Sequence, residues 1–129
     1  MVIADTSIWI EFLKDNSLIY ESFLDLLGQQ KIFALEWIFG ELFQGARGKR
    51  ERTILKEYWV NMPKVSQPDI WIQAGEVSGQ NKWPSKGIGL IDAAIIVAAK
   101  KSGAKIWSLD KKLLSVLPKS EIFTPHLHY

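Results

Sequence analysis

The chain has 129 residues, 47% of them hydrophobic and 23% charged, enough for one domain with a buried core. It contains no cysteine, which excludes a disulfide scaffold or a thiolate metal site; its two histidines, His126 and His128, sit in the last four residues and argue against a His-rich zinc site. Any metal would need Asp and Glu oxygens, the chemistry that suits Mg²⁺ or Mn²⁺, and a net charge of +2 neither demands nor rejects nucleic acid.

The opening MVIADTS lacks a basic segment followed by an apolar one, and the longest apolar run, Ile88 to Ala99, is too short to span a bilayer and carries a charge. The expectation is a cytoplasmic protein with no membrane contact. Val2-Ile3-Ala4 reads as a buried strand ending at Asp5, after which Thr6 or Ser7 caps a helix through Ile8, Trp9, Phe12 and Leu13. Asn16 or Ser17 caps a second helix, with Leu18, Ile19, Phe23, Leu26 and Leu27 at helical spacing and a stop near Gly28. A short strand is expected over 31–35. A third helix then runs through Trp37, Ile38, Glu41, Leu42 and Gly45 until the GARGK stretch ends it.

Residues 51–60 read as another helix and 60–65 as a strand broken by Pro63. Pro68 and Asp69 open a helix containing Ile70, Trp71, Ala74 and Val77, and 83–87 is a loop. An apolar helix around Asp92 ends near Ser102-Gly103; a strand over 105–109 leads to Asp110, a short helix through Leu113, Leu114 and Leu117, and a last strand over 121–123. Strands alternating with helices predict a single α/β domain, residues 1–129, with a mostly parallel sheet flanked by helices.

Four acids stand out. From Gly87 to Ala99, Asp92 is the only charged side chain, and burying a carboxylate there costs several kcal/mol unless a partner or a cation compensates. Asp5 and Asp110 both follow predicted strands; in a parallel sheet those ends share the ligand crevice, although each also suits a helix N-cap. Glu41 falls on or beside the apolar stripe of its helix, whereas Glu36 suits the first turn. Gathered in one pocket, the four would repel unless protonated or neutralised by a divalent cation, which retains waters that can serve as nucleophile in phosphodiester hydrolysis. Arg47, Lys49, Arg50, Arg52 and Lys56 fall within ten residues opposed only by Glu51, either as a solvated face or as an RNA contact.

MVIADTSIWIEFL, GELFQGAR, IGLIDAAIIVAA and WSLDKKL, each built around one of these acids and in this order, resemble the PIN-domain family and most closely its VapC-type toxins. The resemblance implies a parallel sheet sandwiched by helices and a Mg²⁺- or Mn²⁺-dependent endoribonuclease whose metal-binding catalytic residues are Asp5, Glu41, Asp92 and Asp110. It also implies that Ser7 and Ser108 orient the carboxylates. A homodimer and a small antitoxin partner come with it. Many relatives carry a further polar or acidic residue and then Phe after the last motif Asp; here Lys111, Lys112 and Leu113 follow Asp110, so a fifth acidic ligand is missing.

RNA would be held by Arg47, Lys49, Arg50 and Lys86 through its phosphates, and Trp83 borders the same groove as a core residue or a stacking platform. The two histidines read as tail residues. The competing functions are a non-catalytic RNA-binding module on the same fold and a phosphohydrolase with Asp5 as nucleophile. The latter lacks the usual second Asp, since Thr6 and Ser7 follow.

Overall fold

A computed structural model describes residues 1–66 and 68–125. The predicted tail histidines, His126 and His128, lie outside the described residues. The sheet is parallel and narrow. Strand β1 (Val2–Ala4) pairs with β2 (Lys105–Trp107) in the register Val2↔Lys105, Ile3↔Ile106 and Ala4↔Trp107. Single parallel bridges widen it, Val2 to Ile32, Ala34 to Lys64 and Ile106 to Ile122.

The segments expected as strands over 31–35 and 121–123 are therefore present only as bridges. The one expected over 60–65 starts late, because helix α4 (Gly48–Asn61) continues through Val60. That helix also begins three residues before the predicted start; its first turn holds Lys49, Arg50 and Glu51, all favourable helix formers. The backbone N–H of Arg47 is taken by the Glu51 carboxylate, which closes that end.

Helix α1 (Thr6–Leu13) is capped by Asp5 rather than by Thr6 or Ser7: Asp5 has extended backbone angles and its side chain accepts the Ile8 N–H. Helix α2 (Ser17–Gly28) starts at Asn16, whose side chain accepts the Leu18 N–H. Helix α3 (Glu36–Gly45) follows the second sheet segment. Trp9 ties these elements together. Its ring meets Phe23 at 4.7 Å, Phe39 at 5.1 Å and Tyr58 at 5.7 Å, each edge-on, the geometry aromatic pairs prefer. One wholly buried indole thus fixes α1, the helix carrying the DTS hydroxyls, against α2, α3 and α4.

Helix α5 (Ile70–Gln80) packs along α6 (Leu90–Ser102), and α6 in turn lies on both β1 and β2. Ala93 to Ala99 are all buried, which explains why this stretch shows no polar face. The expected loop over 83–87 is a 3-10 turn, Trp83–Lys86, closed by Gly87 in the left-handed region at φ 79°. Strand β2 stops at Trp107 because Ser108 turns to other partners, described below. Helix α7 (Lys111–Ser115) is shorter than predicted and leaves Leu117 in the core beyond it. Among the described residues no helix is long and apolar enough to cross a membrane.

The close fit of α5 on α6 depends on small residues. Ala74→Leu, at a fully buried α5 position, is expected to cost about 1–3 kcal/mol by overpacking, read as a lower urea midpoint with an unchanged slope.

Candidate active site

The four acids reach one end of the sheet by different routes. Asp5 directly follows β1, and its N–H donates to the Trp107 carbonyl at 3.0 Å, which sets it beside the end of β2. It is 6% exposed, the one buried acid among the described residues. The Ser7 and Ser108 hydroxyls donate to its Oδ1 and Oδ2 respectively.

Each serine also works in the other direction. Ser7 Oγ accepts the Leu109 N–H at 3.1 Å, and Ser108 Oγ accepts the Asp110 N–H at 2.9 Å. The two hydroxyls therefore stitch the segment after β1 to the segment after β2. Asp110, exposed, caps α7 by accepting the N–H groups of Lys112 at 2.9 Å and Leu113 at 3.4 Å on Oδ1.

Glu41 is exposed and stands beside the buried stripe of Ile38, Phe39 and Leu42 rather than within it. Its Oε1 accepts the Thr6 hydroxyl at 2.9 Å. Sequence reading gave Thr6 only a capping role; its hydroxyl instead connects α1 to α3 across 35 positions. The available signal was the pair of adjacent hydroxyls after Asp5, of which a single cap would need at most one.

Asp92 lies in the first turn of α6, half-buried rather than enclosed, with Leu90 and Ile91 exposed next to it. The positive end of the helix favours a carboxylate there. Its carboxyl is nevertheless held above its ordinary value of 3.8, first by burial and then by the negative charges of Asp110, Asp5 and Glu41. Those three acids therefore act on Asp92 as like charges that disfavour its ionisation. They are the three that the sequence singled out.

A divalent cation fits this donor set in kind: four carboxylates supply only oxygen, and the resulting like-charge repulsion is what such an ion relieves. Among the described residues no three such side chains enclose a single point. Mg²⁺ does not require that, since it takes one or two carboxylates and keeps several waters.

The basic positions divide into two groups. Arg47, Lys49 and Arg50 are exposed at the start of α4. Arg47 lines a cavity of about 280 Å³ whose walls also include Glu41, Thr6 and Lys14. Lys86 is exposed on the 3-10 turn before α6. Trp83 is 6% exposed and belongs to the core, which removes it as a stacking platform.

A sequence profile described as PIN domain matches residues 2–117. The chain belongs to the PIN-domain family. Its similarity to Ribonuclease VapC32 of Mycobacterium tuberculosis, in strains CDC 1551 / Oshkosh and ATCC 25618 / H37Rv, is 26% identity over 126 residues, 95% of this chain and 94% of the relative. The fold is also similar to that in the crystal structure of PAE2754 from Pyrobaculum aerophilum. The TM-score is 0.56 at 18% identity, over 88% of this chain and 84% of that one. This last likeness concerns the fold alone.

Proposed function

We propose that this PIN-domain chain is a Mg²⁺- or Mn²⁺-dependent endoribonuclease and the toxin member of a toxin–antitoxin pair. The observation that carries the reading is the set of hydroxyls at the common end of β1 and β2: Ser7 and Ser108 hold Asp5, Ser108 accepts the Asp110 N–H, and Thr6 donates to Glu41. A ribonuclease relative aligned along almost the whole chain supports it.

Asp5 and Asp92 would hold the cation directly, with Glu41 and Asp110 reaching it through water. Bound there, a divalent cation stabilises charge on the transferred phosphoryl group and acidifies a water. The chain's own residues prepare the site. Ser7 and Ser108 orient Asp5, Thr6 holds Glu41, and the N–H groups of α7 fix one oxygen of Asp110. Asp92 receives no such help from a side-chain or backbone donor among the described residues, which leaves its carboxylate the freest to bind. Arg47, Lys49, Arg50 and Lys86 neutralise RNA phosphates, giving an affinity that falls steeply with salt.

The same reading brings a homodimer, a small antitoxin and a cytoplasmic setting. A nucleophilic Asp5 is disfavoured because Thr6 and Ser7 stand where the second Asp of such a site would follow. A purely RNA-binding module has no use for mutually repelling acids.

Mixed RNA incubated with the purified chain is expected to be cut with Mg²⁺ or Mn²⁺, to stay intact in chelator, and to be cut again when metal is restored. Cleavage that persists in chelator, or full activity in Asp5→Asn, overturns the proposal.

A further inference from the structure

Lys112 is placed in an unusual way for an exposed lysine. A Cβ built on Gly87 would stand 2.9 Å from Lys112 Cδ, 3.4 Å from Cε and 3.2 Å from Nζ, so the lysine stem and ammonium lie directly on the bare glycine. Gly87 also sits at φ 79°, a conformation glycine adopts without cost. Its loop is pinned on one side by wholly buried Ile88, whose N–H donates to the Trp83 carbonyl at 3.1 Å. Two residues later comes the start of α6, which carries Asp92.

What Asp110 takes from Lys112 is the backbone N–H at 2.9 Å, and the ammonium extends over the loop. A polyanion approaching four carboxylates needs cations around the rim. On the Glu41 side Arg47 and Lys14 line the cavity; Lys112 lies over Gly87, the residue that follows Lys86 in the turn before the Asp92 helix.

We propose that Lys112, cradled on Gly87, is a positioning residue that grips an RNA phosphate next to the acidic cluster. The proposal rests on the nuclease reading above and assigns this lysine a share in the substrate path. Lying along the glycine surface also lowers the side-chain entropy lost when the phosphate binds.

The test compares wild type, Lys112→Met and Lys112→Arg on a random-sequence RNA pool in Mn²⁺ over a series of KCl concentrations. Methionine keeps an apolar stem over Gly87 and removes only the charge. It is expected to raise KM about 3–10-fold at low salt, to leave kcat within about twofold, and to make the salt slope of log kcat/KM shallower by about one. Arginine is expected to restore the slope. If wild type cuts the pool and Lys112→Met keeps its KM and slope, the proposal is overturned while the nuclease reading stands. A lowered Tm in Lys112→Met with a wild-type slope gives Lys112 a packing role and overturns it equally. If wild type cuts nothing with either Mg²⁺ or Mn²⁺, the nuclease reading falls and this proposal with it.

Discussion

Asp92→Asn is expected to melt at a higher temperature than wild type in chelator while losing about 100-fold or more of its RNA cleavage in Mg²⁺ or Mn²⁺. The two effects share one cause. In the folded chain the Asp92 carboxyl sits above its ordinary 3.8, pushed by burial and by Asp110, Asp5 and Glu41. The folded state thus retains this proton to a higher pH than the unfolded chain does. Between the ordinary value and the raised one, folding takes up a proton, and stability falls as pH rises through that window.

At neutral pH the ionised Asp92 is therefore a net burden to the fold. Asparagine keeps the shape and removes the charge. Because the residue is half exposed and screened by water, the gain is modest, about 2–4 °C in a chain of this size. Added Mg²⁺ or Mn²⁺ should raise the Tm of wild type more than that of Asp92→Asn, and this difference should shrink as pH falls and protons compete with the cation. A thermal-shift series over pH and metal concentration reads all of this. Loss of stability in Asp92→Asn under chelator would show that the carboxylate has a structural partner and is not a repelled charge.

Charge patterning singled out Asp92, but the burial it implied was too deep: the residue stands half-buried in the first turn of α6 beside exposed Leu90 and Ile91, ahead of the buried run from Ala93 to Ala99. Asp5 and Asp110 were legible as strand-end acids, and β1 and β2 do lie side by side so that both reach one edge. Both also cap helices, so the capping and cluster readings are compatible.

The contacts between elements were not legible. Thr6 meets Glu41 only because Trp9 sets α1 against α3, and Lys112 meets Gly87 only because α7 folds back toward the turn before α6. The strands are shorter than the sequence pattern implies for a related reason. A segment making one or two ladder bonds carries the apolar signature of a strand without its length, and Ile32, Lys64 and Ile122 are such bridges.

Ser108→Ala is expected to be the most damaging of the hydroxyl deletions. Ser108 Oγ donates to Asp5 Oδ2 and accepts the Asp110 N–H at 2.9 Å, so its loss leaves a buried carboxylate oxygen and a backbone donor unpaired together. An unpaired buried group costs about 1–3 kcal/mol. Ser7→Ala should cost less, because Asp5 Oδ1 retains the Ile8 N–H at 3.3 Å as a second donor, whereas Oδ2 has only Ser108 among the described residues. For activity, a deleted orienting hydroxyl behaves like other outer partners of ligand carboxylates, with an expected loss of about 10–100-fold in kcat or metal affinity. The double variant should lose less than the product of the single losses, since both serines hold the same carboxylate between β1 and β2. Urea unfolding and metal-dependent cleavage, measured on the three variants in parallel, check the order. Should Ser7→Ala prove the costlier change, or the losses multiply, the two hydroxyls would not be acting through Asp5 as one unit.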